Sequence, residues 1–248
     1  MTELTLFHGF SQDPSVWDQL STYLPPEWQT IAPTLPGHDQ HSLNLPLNAE
    51  DFAIQTLARL FPQPARRKRV LIGYSLGSRL ALDLVLREPD MWTHLILVSS
   101  GAGLADPTAR AERRATDEKL ADRLESEGLD VFANTWDAQK IWTGDPDETR
   151  VKRREMISTK TAAGLAAAIR AYGQGTAPSS WDQLEKITLP TTVVIGTRDR
   201  TYSEVAKRMA AGLKRCTDPI TVEAGHSVPL EAPKALADVI VSQLASSD

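Results

Sequence analysis

Apolar residues in this chain recur with two periods. Thr2 to Phe7 alternates polar and apolar and reads as a strand. Val16, Trp17, Leu20 and Leu24 fall on one helical face, which Pro25-Pro26 ends. Trp28 to Ala32 predicts a second strand, and Pro33 to Asp39 is rich in turn residues. Asn48 is placed to cap a helix from Ala49 to about Phe61, with Phe52, Leu57 and Leu60 inward. Val70-Leu71-Ile72 and Leu95-Ile96-Leu97-Val98 are uninterrupted apolar runs, as expected of parallel strands buried on both faces. Between them an amphipathic run extends from Leu76 to about Arg87.

From Gly101 to about Ser180 the pattern changes to charged, alanine-rich helical spacing. Helices are predicted near Pro107–Ser126, Leu129–Ala138, Pro146–Thr159 and Thr161–Tyr172, punctuated by Gly128, Gly144-Asp145-Pro146 and Gly173-Gln174-Gly175. Strand–helix alternation then returns, with strands at Thr191–Ile195 and Ile220–Val222 and helices at Ser203–Leu213 and Glu231 to about Leu244. The alternation predicts an α/β fold: a mostly parallel sheet covered by helices on both faces. Residues 1–100 and 181–248 would form the core. Residues 101–180 would form a helical cap over the carboxyl ends of the strands, an insertion within one domain.

Composition narrows the function classes. The chain has 248 residues, enough for a large core, and a net charge of −5. A mildly acidic chain is not built for nucleic acid or an anionic membrane surface. The basic run Arg66-Arg67-Lys68-Arg69 reads as a solvated strand start. The single cysteine, Cys216, cannot form an intrachain disulfide and reads as a small, partly buried residue. There is no signal-peptide pattern at Met1–Phe7 and no run of about 18 apolar residues, so a cytoplasmic protein is expected.

The chemistry centres on Gly73-Tyr74-Ser75-Leu76-Gly77, between a predicted strand and a predicted helix. That context fits a nucleophile elbow, although a Gly/Ser turn there is also common structural punctuation. A serine hydroxyl is a weak nucleophile and base unless an imidazole activates it and a carboxylate orients the imidazole. Asp199 follows the strand ending near Ile195, and His226 follows the last strand. The order serine, acid, histidine, each at the carboxyl end of a strand, makes Ser75, Asp199 and His226 a catalytic triad. His8 and His38 sit in glycine turns and read as backbone braces; His41, His94 and Asp182 lack matching context. The backbone N–H groups of Leu76 and Phe10 are the expected oxyanion-hole donors.

Arg79 lies four residues beyond Ser75, one helical turn along the same face. It reads either as a carboxylate clamp beside the serine or as a surface arginine. The insertion adds Arg110, Arg113, Arg114 and Lys160 in a nearly balanced charge environment, and Trp136 and Trp142 as pocket-wall or core aromatics. No cofactor and no metal are expected.

With His8-Gly9-Phe10, Leu35-Pro36-Gly37-His38, the stretch Gly73 to Leu82, Ala224-Gly225-His226 and Leu230 to Pro233, the chain resembles the α/β-hydrolase superfamily over nearly its whole length. Within it, Arg79, Arg113-Arg114, Asp117 to Ala121, and Trp136 with Gln139 are similar to the 2-succinyl-6-hydroxy-2,4-cyclohexadiene-1-carboxylate synthases of menaquinone biosynthesis. The resemblance implies an α/β-hydrolase fold and a lyase. It would eliminate pyruvate from a small, multiply carboxylated cyclohexene, using Ser75 and His226 as the proton-abstracting base. It also implies that Arg79 and Arg113 hold carboxylates and that Tyr74 and Trp136 line the site. Lys160 would stand where that family carries a second insertion arginine. Thr34, Asp39, Ser78 and Asp137 depart from the family pattern, and Asp137 would add negative charge near the pocket. The residues alone leave open a serine hydrolase acting through an acyl-enzyme, and a non-catalytic binding protein on the same fold.

Overall fold

The structure, a computed structural model, describes residues 2–40, 44–60 and 68–245. The expected helix end at Phe61, the basic residues Arg66 and Arg67, and His41 lie outside the described residues. The strands are β1 (Thr2–Phe7), β2 (Gln29–Ile31), β3 (Lys68–Tyr74), β4 (His94–Val98), β5 (Thr191–Gly196) and β6 (Ile220–Val222). All their pairings are parallel, in the order β2-β1-β3-β4-β5-β6. Every carboxyl end therefore opens on one edge of the sheet, with Phe7 opposite Gly73 and Tyr74 opposite Val98.

The helices are α1 (Asp18–Ser21), α2 (Ala49–Leu60), α3 (Leu76–Arg87), α4 (Pro107–Asp137), α5 (Asp147–Ser158), α6 (Ala162–Tyr172), α7 (Ser203–Gly212), α8 (Val228–Glu231) and α9 (Pro233–Ala245). The apolar strands divide by parity between two cores, as period-2 geometry requires. Val70, Ile72, Ile96, Val98 and Val194 pack with Trp17, Leu20 and the α9 residues Leu236 and Ile240. Leu71, Leu95, Leu97, Val193 and Ile195 pack with residues of α2, α3 and α7. Each such side chain contributes about 1.5–3 kcal/mol when fully buried. Between β4 and β5 the chain runs through α4, α5 and α6, whose Leu124, Phe132, Ile157, Leu165 and Ile169 make a third cluster.

Several boundaries differ from expectation for local reasons. Before α1, Pro14–Trp17 forms a 3₁₀ turn, because the Asp13 side chain caps it through the Ser15 N–H. The predicted closing helix is α9, starting at Pro233 rather than Glu231, because Pro233 cannot continue the hydrogen-bond ladder of the short α8 before it and instead opens a new helix. Gly128 breaks α4 at φ 83°, a conformation open chiefly to glycine, which matches the predicted punctuation. Asn48 caps α2 as expected, accepting from the Asp51 N–H at 2.8 Å. Arg69 is not a solvated strand start. It is buried, because Glu3 of the neighbouring strand meets its guanidinium at 3.0 Å. Cys216 packs partly buried against the first core, and burial pushes its thiol up to about 11. No helix among the described residues is long and apolar enough to cross a membrane.

Candidate active site

Ser75 sits between β3 and α3 with φ 53° and ψ −111°, a strained backbone for a residue with a side chain. The turn is possible because its flanking residues are glycines. A Cβ on Gly73 would come 2.4 Å from the Gly77 oxygen, and one on Gly77 would come 2.3 Å from the Phe7 oxygen. Ser78, one of the departures from the resembled family, donates to the Gly73 oxygen at 2.6 Å and accepts from the Val98 N–H at 3.1 Å. Its hydroxyl thereby joins the ends of β3 and β4 under the elbow.

The three triad residues of the sequence analysis come together. Ser75 Oγ lies 3.1 Å from His226 Nε2, and His226 Nδ1 lies 2.7 Å from Asp199 Oδ2. With Asp199 accepting from Nδ1–H, Nε2 is left to accept the serine proton. The other Asp199 oxygen accepts from the Tyr202 N–H at 3.1 Å. Asp199 and His226 are buried, while Ser75 is half-buried and faces a cavity. His226 is fixed by aromatic neighbours: Tyr202 stacks at 5.2 Å, Trp142 stands edge-on at 5.3 Å, and Tyr74 is tilted at 5.5 Å.

The N–H groups of Phe10 and Leu76 border the same cavity and bond to no acceptor among the described residues. Leu76 is the first residue of α3, so its N–H has no intrahelical partner. The loop carrying Phe10 is braced from behind. Gln12 accepts from the Gly9 N–H, and His8 Nε2 accepts from the Leu35 N–H at 3.0 Å. His38 Nδ1 bonds the Pro36 oxygen at 3.0 Å and its ring stands 5.1 Å from that of His8. Both histidines brace the backbone, as expected of glycine-turn histidines.

The cavity is about 370 Å³, and α3, α4 and α6 contribute to its wall with the turn before Trp142. Phe10, Leu120, Trp136, Ile141, Trp142 and Ile169 make its apolar part, with Phe10 and Trp136 edge-to-face at 5.2 Å. Arg79 and Arg113 line it together with Tyr74 and Ser75. Arg79 Nη1 donates to the Tyr172 oxygen at 3.0 Å, and its guanidinium makes no ion pair with a carboxylate among the described residues. Burial pushes its pKa down, and the nearby Arg113 charge adds to that. Arg113 pairs with Asp117 at 2.7 Å and donates to Gln174, whose amide in turn donates to the Tyr202 hydroxyl.

Lys160 does not line the cavity, contrary to expectation. Its ammonium is buried, and burial demands a counter-charge, which Asp13 supplies at 2.6 Å with Thr159 Oγ1 at 2.7 Å. Asp137 adds no free negative charge, because Arg153 and Arg154 both bind it. Arg153 also bridges to Asp145 at 2.7 Å and stacks 4.1 Å over Trp142; Asp145 accepts from the Ser227 hydroxyl at 3.2 Å. Arg153, Asp145, Tyr202, Gln174 and Ser100, whose hydroxyl donates to the Ser75 oxygen at 3.0 Å, were not among the sequence candidates. Asp145 and Gln174 carried a signal, the glycines beside them: Gly144 has φ 88°, and a Cβ on Gly175 would come 2.2 Å from the Arg114 nitrogen. No group of His, Cys, Asp and Glu among the described residues is arranged to hold a metal ion.

The profile of the alpha/beta hydrolase family matches residues 6–239. A Bacillus subtilis (strain 168) protein, provisionally named a 2-succinyl-6-hydroxy-2,4-cyclohexadiene-1-carboxylate synthase, is 28% identical over 246 residues, covering 96% of this chain and 89% of its own length. The structure of MenH from S. aureus superposes with a TM-score of 0.91 at 26% identity, over 99% of this chain and 94% of that one. A thermophilic esterase from Thermogutta terrifontis, solved with malate bound, superposes at 0.83 with 25% identity, over 99% and 90%. These matches bear out the resemblance drawn from the sequence motifs.

Proposed function

This chain belongs to the alpha/beta hydrolase family, and on that premise we propose that it is a carbon–oxygen lyase of menaquinone biosynthesis. It would convert a 5-enolpyruvyl-6-hydroxy-2-succinyl-cyclohexene carboxylate to 2-succinyl-6-hydroxy-2,4-cyclohexadiene-1-carboxylate and pyruvate. The observation that carries this reading is Arg79, a desolvated cation on the wall of the Ser75 cavity with no carboxylate of its own. A half-buried cation without a partner is poorly solvated, so such a site favours an anionic ligand that completes the pair. Arg113 offers a second guanidinium to a substrate bearing several carboxylates. The synthase name of the Bacillus subtilis relative supports the same substrate class.

In this reading His226 takes the Ser75 proton, and the serine oxygen removes a proton from the ring carbon. The electron pair of that C–H bond enters the new ring double bond as the C–O bond to the enolpyruvyl group breaks. The departing oxygen keeps the C–O pair, and the proton held by His226 completes pyruvate. The Phe10 and Leu76 N–H groups stabilise oxyanion character that develops on the substrate carbonyl; losing such a donor typically costs about 2.7–4 kcal/mol. Trp136 and Tyr74 shape the apolar wall, and residues 101–180 act as the cap that keeps water out. The step balances without oxidant, metal or cofactor.

The same triad also supports a serine esterase acting through an acyl-enzyme, and the esterase neighbour favours keeping that second reading. Purified enzyme given the enolpyruvyl precursor, with pyruvate followed by coupled reduction to lactate, separates the two. Pyruvate release with no burst on uncharged aryl esters is expected. No pyruvate above background, with rapid ester turnover and a burst, would replace the lyase by the esterase.

A further inference from the structure

A second cavity, about 660 Å³, adjoins the active cavity, and Lys140, Ile141 and Thr201 line both. Its remaining wall includes Arg198, Arg200, Thr143 and Thr197 and no acidic residue. Arg198 is already neutralised, pairing with Glu223 and with Glu231 at 2.7 Å. Lys140 and Arg200 have no ion pair among the described residues. The chain as a whole is acidic, at −5. A concave, acid-free surface with two unpaired cations therefore runs against the overall charge, and it does so at the edge of the active cavity. Low-dielectric walls focus such a field and raise the local concentration of anions.

We propose that this outer chamber is a carboxylate-binding antechamber: Lys140 and Arg200 hold a carboxylate of a small anion passing between solvent and the Ser75 cavity. The proposal rests on the anionic-substrate reading above. It adds a second binding position, which neither the triad nor Arg79 supplies. The hydroxyls of Thr143 and Thr201 stand on the same wall as neutral donors. The anion is either the arriving substrate, held by its succinyl arm, or departing pyruvate; the two share the carboxylate that the chamber recognises.

Calorimetric titration at low ionic strength tests this without any turnover, so its outcome is independent of whether the enzyme releases pyruvate. Succinate and pyruvate are titrated separately into the wild-type chain, Arg79→Ala, and the double variant Lys140→Ala/Arg200→Ala. The wild type should show two binding events with at least one of the probes. Arg79→Ala should lose the inner event and keep the outer one. The double variant should keep the inner event, with the outer weakened about tenfold or more, as for loss of close charge partners. An outer event with succinate alone assigns the chamber to the substrate arm, and one with pyruvate alone to the leaving group. A single event abolished by Arg79→Ala, a double variant that titrates like the wild type, or no outer event with either probe overturns the proposal.

Discussion

Arg79 is where the chemistry and the energetics meet. Its guanidinium has one backbone carbonyl as partner and lies close enough to Arg113 to feel its charge. Replacement by alanine should lower kcat/KM for the anionic substrate by about a hundredfold or more, since a lost buried charge partner costs several kcal/mol. Steady-state kinetics on the precursor measures this; an effect below about threefold would remove Arg79 from the site. Lysine should recover little of the loss, because it lacks the planar fork. The elbow glycines make a second residue-scale prediction. Gly77→Ala should destabilise the fold and abolish activity, because its methyl group would overlap the Phe7 carbonyl; urea unfolding and activity on the same preparation check it. Ser75, Asp199 and His226 were legible because each follows a strand in the required order. Lys160 lies off the site: a resemblance carries over a charged position without saying which cation finds an internal partner. Asp13 is far away in the chain and adjacent in space.

At the scale of elements, α5 is fastened to its surroundings by Arg153. The side chain is 1% exposed and bridges Asp137 at the end of α4 to Asp145 in the following turn. Arg153→Ala would leave two buried carboxylates without their bridge, although Arg154 still reaches Asp137. Breaking a buried pair in this way costs about 3–5 kcal/mol, so the urea midpoint should fall sharply. Activity should fall too, because the Trp142 ring contacts both the Arg153 guanidinium and the His226 ring. An Arg153→Ala chain with unchanged stability would contradict this role for Arg153. Most elements were legible from hydrophobic period and punctuation, as Gly128 and Asn48 illustrate. The exceptions were set by local chemistry at helix starts: Asp13 captured the first turn before α1, and Pro233 moved the start of the closing helix.

At the scale of the molecule, acid should unfold the chain through the two buried histidines. Burial above all, with the Lys160 charge adding to it, lowers His8 to about 4 and His38 to about 3 from an ordinary 6.5. Above pH about 6.5 neither folded nor unfolded chain is protonated there, and the contribution is fully present. As the pH falls through 6.5 the unfolded chain binds protons first, so stability declines until the folded-state values near 4 and 3 are reached. His8 alone accounts for a loss on the order of 3 kcal/mol across that window. Urea unfolding at neutral pH and at pH near 5 should show it, with a shallower slope in His38→Gln. The sheet order and the meeting of Arg79 with Arg113 were not legible as geometry. Periodicity identifies strands but not their neighbours, and α4 reaches the elbow only through crossovers that bring distant segments together. What this molecule does is tested most directly by pyruvate release from the enolpyruvyl precursor, measured for the wild type and Arg79→Ala with neutral aryl-ester hydrolysis as the internal control. The account predicts one pyruvate per precursor consumed, and a loss of about two decades in the variant that the ester assay does not share. No pyruvate above background from a wild-type preparation that hydrolyses the ester would contradict it.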